Sequence, residues 1–326
     1  MQEFPVRGAG NVKQGVVQAL SGVSVEVREG ETLGVVGETG SGKSTLARSV
    51  LAAPKPKSGE VIFNGVDLLS LGRRELREAR RGIQMVYQDP VGSLDPKMRV
   101  LDIVAEPLVA YGVGRPSERR KRVEEALELV GLDPSVHGGR RPRQLSGGQC
   151  QRVAIARALT LSPALIVCDE AVSSLDVLIQ AQVMNLFESL RRELSLSYLF
   201  IAHDLALVEQ ISDRVAVMYL GQLAEVGPSE AIYRRPLHPY TAILLASIPT
   251  IRPVETPLAL TEVEGEPPSP LDPPSGCRFR TRCPFAQERC AQEAPQLRTL
   301  GTDHEVACHF PLAAPEQPLH GRRDGS

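Results

Sequence analysis

The residues best suited to chemistry are Gly37, Glu38, Thr39, Gly40, Ser41, Gly42, Lys43, Ser44 and Thr45, a stretch that fits G-x-x-x-x-G-K-[ST]. A turn built on glycines can curl its N–H groups around anionic oxygens, and a following helix adds its N-terminal donors and dipole. Lys43 would then reach the β and γ phosphates of a nucleotide, and Ser44 would hold Mg²⁺. The motif alone also fits a Gly/Ser loop with a solvated lysine. Its surroundings favour phosphate. Glu31–Val36 reads as a short buried strand and Ser44–Leu51 has helical spacing, giving the strand, loop and helix that such a site needs.

Further polar residues cluster at the ends of apolar runs. Leu165-Ile-Val-Cys-Asp-Glu170 is an apolar strand ending in two carboxylates; Asp169 suits Mg²⁺ organisation and Glu170 the polarisation of a water. Gly82–Gln88 is a strand ending at Gln88, and Tyr198–Ala202 is one ending before His203. In α/β sheets, ligands sit at that edge. Ser146, Gly147, Gly148 and Gln149 open a helix running to Leu159, with a serine N-cap and two glycines presenting free N–H groups. Ser173–Asp176 opens the next helix, with Asp176 at its positive end.

These residues need a sheet to carry them. Val23, Val25 and Val27 alternate as in a half-buried strand, and Gly59–Val66 predicts another, so the sheet is expected to be mixed rather than wholly parallel. Residues from about 99 to 160 are helical in pattern; Val123, Ala126, Leu127 and Val130 recur at i, i+3, i+4 and i+7, with Gly131 as a stop. This region, about 89–160, is expected to be a helical insertion. Composition then changes: 15 of the 26 prolines fall from Pro236 onward, which marks a boundary between an α/β body, 1–235, and an irregular extension, 236–326.

The net charge of −2 gives no sign of a nucleic-acid surface. No run approaches a membrane span and the N-terminus lacks a signal-peptide core, so a soluble, cytoplasmic chain is expected. Of six cysteines, Cys150 and Cys168 are isolated in the body, while Cys277, Cys283, Cys290 and Cys308 fall together. In a reducing compartment such a group suggests metal before disulfides, yet its spacings match neither common zinc nor ferredoxin patterns. Metal binding and unpaired thiols both remain open, with His304 and His309 as further ligands nearby.

Taken together, the motifs resemble those of the nucleotide-binding subunits of ATP-binding cassette (ABC) transporters. Gly37–Thr45 matches the Walker A loop, Gln88 the Q-loop, Leu145–Gln149 the signature, Leu165–Glu170 the Walker B strand, Ser173–Asp176 the D-loop and His203 the switch histidine. Within the family the chain looks most like the second ATPase of oligopeptide and dipeptide importers, through Tyr87–Pro96, Leu178–Val183, Asp213–Gly221 and Pro236–Tyr240. The resemblance implies a P-loop NTPase core of ABC type, with a mixed sheet, an antiparallel β subdomain and a helical subdomain. It implies ATP and Mg²⁺ as cofactors, the metal bound through Ser44, Gln88 and Asp169, with Glu170 as catalytic base and His203 on the γ phosphate.

The partners it implies are a homologous ATPase subunit, facing the signature in a head-to-tail heterodimer, two transmembrane permeases and, indirectly, an extracytoplasmic binding protein. The chain would sit peripherally on the cytoplasmic face of the membrane. For the late cysteines the resemblance implies a [4Fe-4S] cluster. Relatives usually begin with one further strand, so the start at Met1–Val6 is expected to lack it; Phe4 is the candidate for stacking on adenine, with core packing and disorder as alternatives. Cys150 stands where relatives carry Arg, Gln or Lys, and Ala171 where they carry Pro; neither removes a catalytic group. Two other readings are a soluble ABC ATPase acting on nucleic acid or ribosomes, and a regulatory subunit that hardly hydrolyses. The first usually carries two cassettes or a coiled-coil insertion, and this chain has neither.

Overall fold

The computed structural model describes residues 1–7, 13–247 and 266–312. Its strands are β1 (Gln2–Arg7), β2 (Lys13–Leu20), β3 (Thr32–Val36), β4 (Ile62–Phe63), β5 (Val66–Asp67), β6 (Ile83–Val86), β7 (Leu165–Asp169), β8 (Ser197–Ile201), β9 (Arg214–Tyr219), β10 (Gln222–Pro228), β11 (Arg298–Thr299) and β12 (Glu305–Val306). The principal helices are α1 (Lys43–Val50), α2 (Arg73–Ala79), α3 (Val100–Ala110), α4 (Pro116–Leu129), α5 (Pro134–His137), α6 (Gly147–Leu159), α7 (Val177–Leu194), α8 (Leu205–Ile211), α9 (Ser229–Arg234), α10 (Pro239–Ala246) and α11 (Glu288–Gln292).

The central sheet has the order β11-β12-β10-β9-β3-β8-β7-β6. From β9 to β6 it is parallel, and β10, β12 and β11 add antiparallel pairs at one edge. The sheet is therefore mixed, as expected. Both faces are covered, so the parallel strands, apart from Gln84 of β6 and polar residues at their ends, are apolar rather than alternating with polar residues. Period-2 geometry sends Ile166, Tyr198, Phe200 and Val215 into one core and Leu165, Val167, Leu199 and Ala216 into the other. The first core joins the sheet to α6, α7 and α8 and continues into the insertion, where α3, α4 and α6 pack together.

Phe187 of α7 anchors that side: it is fully buried and meets Tyr198 and Phe200 edge-on at 5.5 and 6.0 Å. Phe187→Ala is expected to cost about 3–5 kcal/mol of unfolding free energy, measurable by chemical denaturation.

Three expectations are corrected. Val23, Val25 and Val27 do pack on the second core, but residues 23–28 join no strand ladder, so half-burial alone produced their alternation. Gly59–Val66 is not one strand: Asn64 and Gly65 both take positive φ (49° and 78°) and fold β4 back onto β5. Gln2–Arg7 do form a strand, pairing antiparallel with β2, contrary to the expected lack of one there. Phe4 on that strand is exposed rather than packed in the core.

The extension is also less irregular than its prolines suggest. β12 pairs with β10 and β11 with β12, so residues 298–306 widen the main sheet instead of hanging from it.

Candidate functional site

The Gly37–Thr45 loop lies between β3 and α1, where its glycines are sterically required. Gly37 has φ +148°, and a Cβ there would stand 2.1 Å from the Met218 carbonyl oxygen. Gly42 has φ +105° and caps α1, and a Cβ there would stand 2.5 Å from the Ala19 oxygen. Lys43 is folded under the loop, its Nζ donating to the carbonyls of Gly37 (2.6 Å) and Glu38 (3.0 Å). Ser41 is buried, while Thr39 and Gly40 face solvent.

Parallel strands bring the remaining groups to the same edge. The Ser44 hydroxyl donates to Asp169 Oδ1 at 2.9 Å, joining the loop to the end of β7. Gln88, after β6, donates through Nε2 to Glu170 Oε2 at 2.8 Å. His203 Nδ1, after β8, lies 3.5 Å from the same oxygen. Glu170 itself has φ +51°, a left-handed conformation unusual for a side-chain-bearing residue, and its N–H donates to Ile201 O. The strand thus ends at Asp169, and the turn aims the next carboxylate between Gln88 and His203.

Electrostatics match a site for a metal-bound polyanion. Burial pushes the Lys43 ammonium down, opposed by the carboxylates of Glu170, Asp169 and Glu38. Burial likewise pushes the Asp169 carboxyl up, opposed by the Ser44 hydrogen bond. A polyanion beside Lys43 and a cation beside Asp169 would each favour the charged form. Ser44 and Asp169 supply oxygen donors, and Gln88 lies one residue away through Glu170. Among the described residues no three His, Cys, Asp or Glu side chains could hold a metal ion. Mg²⁺ does not need such a cage, because it is commonly bound by one or two carboxylates, substrate phosphates and water.

Ser146–Gln149 is built differently. Ser146 caps α6: its Oγ accepts from Gln149 N–H (3.2 Å), while Gln149 Oε1 accepts from Ser146 N–H (3.0 Å). No hydrogen bond among the described residues joins this turn to the Gly37–Thr45 loop. It opens instead on a cleft of about 360 Å³ shared with His137, Ile179 and Gln182. Asp176 caps α7 by accepting from Ile179 N–H, and Val177 and Leu178 beside it are highly exposed.

A nucleotide loop, a carboxylate pair and a capped glycine turn thus occur in one chain. Residues 20–173 match the family model described as ABC transporter, and residues 224–290 match that of the oligopeptide/dipeptide transporter C-terminal region. The oligopeptide transport ATP-binding protein AppF of Bacillus subtilis is 48% identical over 310 residues, covering 94% of each chain. The chain belongs to the ABC-transporter ATP-binding subunits. OppF of Salmonella typhimurium is 51% identical over 294 residues, 90% of this chain and 87% of that protein. Among solved structures, a post-hydrolysis dimer of the ATP-binding cassette MJ0796 with ADP and Pi has a TM-score of 0.62 and 30% identity, covering 70% of this chain and 95% of that one. This cassette is accordingly an ATPase that uses ATP and Mg²⁺.

The extension contributes residues that sequence reasoning missed. Tyr240 of α10 accepts from the Glu38 N–H at 2.8 Å, and Arg282 Nη1 lies 2.8 Å from Glu38 Oε2. Tyr240 stood only within a segment shared with peptide importers, and nothing local marked Arg282. Cys277, Cys283, Cys290 and Cys308 line one small cavity of about 10 Å³ with Phe279 and Phe310. Burial pushes the Cys283 thiol up to about 11 and that of Cys308 up to about 12. Of the two histidines considered as extra ligands, His309 lines this cavity, but the β11–β12 hairpin turns His304 the other way, onto Glu225 at 2.7 Å.

Proposed function

We propose that this cassette powers the import of peptides through a separate membrane permease. The observation that carries the reading is the extension: a match to the oligopeptide/dipeptide C-terminal region, joined to a cassette about half identical to oligopeptide transport ATP-binding proteins. No described helix is long and apolar enough to cross a membrane, in keeping with a peripheral subunit on the cytoplasmic face. The division into a nucleotide-binding unit, 1–235, and an extension, 236–326, is one of role, since both contribute strands to one sheet.

In this reading Gly37–Thr45 cradles the phosphates, with Lys43 leaving its two carbonyl partners for the β and γ oxygens. Ser44 and Asp169 would hold Mg²⁺, with Gln88 completing the set; when bound, such an ion would supply positive charge against the phosphates. Glu170 accepts the proton of the attacking water, and His203 contacts the γ phosphate. The Ser146–Gln149 turn and Asp176 serve a homologous partner subunit's nucleotide. Two permeases and an extracytoplasmic binding protein complete the assembly.

For the four cysteines we propose a [4Fe-4S] cluster, supported by four thiols on one cavity, whose lining also includes His238, Arg280 and His309. Cys277, Cys283, Cys290 and Cys308 would hold it through their thiolates, although among the described residues no three such side chains are placed to hold a single metal ion. Such a group would be expected to fix the extension. Anaerobically purified chain should contain about four irons and four sulfides; chain with neither, yet fully assembled, counts against the cluster.

The transport reading is tested in proteoliposomes holding the two permeases, the paired ATPases and the binding protein. Peptide uptake should require ATP and this chain. Uptake that persists without the chain would overturn the assignment.

A further inference from the structure

Glu38 is an awkward residue for its position. It is the first variable residue of a loop that must receive a triphosphate, and its carboxylate adds negative charge where the ligand brings more. Every polar group of Glu38 is nevertheless tied down. Its N–H donates to the Tyr240 hydroxyl (2.8 Å), its carbonyl accepts from Lys43 Nζ (3.0 Å), and its Oε2 accepts from Arg282 Nη1 (2.8 Å). The ion pair is no surface contact, with the two side chains only 11% and 25% exposed. Arg282 is itself anchored: its N–H donates to Phe279 O, and the Phe279 ring is buried edge-on against Tyr219 at 5.2 Å.

We propose that Arg282 is a positioning residue for ATP binding, which neutralises the Glu38 carboxylate and holds the phosphate loop in its receptive form. The extension therefore completes the ATP site within the same chain. Its neighbour Cys283 lines the thiol cavity, and Arg278, in the same Cys277–Cys283 segment, donates to Gln18 of β2 at 2.9 Å. One segment thus contacts both Glu38 of the loop and β2, whose Ala19 oxygen lies against Gly42.

A brace alone and a charge-neutralising brace make different predictions. Without Arg282, Glu38 faces the phosphates unpaired, and repulsion at partly buried positions is weakly screened. Removing the carboxylate as well should then restore binding. A purely structural arginine would not be rescued this way.

The inference rests on ATP binding at this loop, and the experiment separates the two. Mg·ATP dissociation constants are measured for the full chain in its assembled complex, as wild type, Arg282→Ala, Glu38→Gln and the double variant. Arg282→Ala should raise Kd about 10-fold, with the defect changing little as salt rises. The double variant should return to within about twofold of Glu38→Gln. Should Arg282→Ala not fold, Arg282→Gln takes its place, and Arg282→Lys, which keeps the charge, should bind nearly as the wild type does. An unchanged Kd in the charge-removing variant, or a double variant as weak as it, overturns the proposal. Failure of the wild type to bind ATP overturns the nucleotide reading beneath it.

Discussion

Glu170→Gln is expected to lower ATP hydrolysis by the reconstituted complex about 10²- to 10⁴-fold while leaving nucleotide binding intact. The amide has the shape of the carboxylate, and its oxygen can still accept from Gln88 Nε2, which now stands 2.8 Å from Glu170 Oε2. What it cannot do is take a proton from water. Because the turn that aims residue 170 is set by backbone, with φ +51° and the N–H bound to Ile201 O, the substitution should not move neighbouring groups. ATP then binds without being consumed, and the variant should accumulate as a closed pair of ATPase subunits, visible as a stable dimer by size-exclusion chromatography with Mg·ATP. Hydrolysis at the wild-type rate would remove Glu170 from the role of base.

Glu225→Ala is expected to cost about 3–5 kcal/mol of stability. The carboxylate is fully buried and accepts from the N–H groups of Leu237 (2.7 Å) and His238 (2.9 Å) and from His304 Nε2 (2.7 Å). Its removal strands two amides and an imidazole in a dry interior, where each unmet donor costs about 1–3 kcal/mol. The three donors come from the start of α10 and from the β11–β12 hairpin, so both should loosen from β10. Denaturant unfolding would measure the loss, and amide exchange over residues 298–306 would locate it. A loss below about 1 kcal/mol would show that other contacts hold the extension. Since α10 also carries Tyr240 to the Glu38 N–H, a weaker hold on ATP should accompany the loosening.

These two residues differ in how far the sequence exposed them. Glu170 was legible because its neighbours announce it: an apolar run ending in Asp169-Glu170 says both strand and strand end, and parallel strands deliver their ends to one edge. The same logic identified Gln88 and His203. The caps were legible as well, since Ser146 and Gln149 complete a box within four residues, and Asp176 precedes the long apolar stripe of α7. Local rules failed where half-burial imitates pairing, as at Val23, Val25 and Val27, and where an Asn64-Gly65 turn divides what looked like one strand.

Glu225 and Arg282 had no such signal. A glutamate inside β10 reads as an exposed polar residue of an edge strand until β12 covers it and His304 reaches in, 79 residues later. Arg282 reads as one of several arginines in a proline-rich tail until the chain places it against Glu38, 244 residues earlier. Motif spacing and strand periodicity are short-range properties fixed by backbone geometry, so the residues suited to nucleotide chemistry could be picked out along the chain. That the extension reaches the Gly37–Thr45 loop emerges only once the chain is folded, because the pairing of distant charges depends on how the sheet closes and on which carboxylates lose their water.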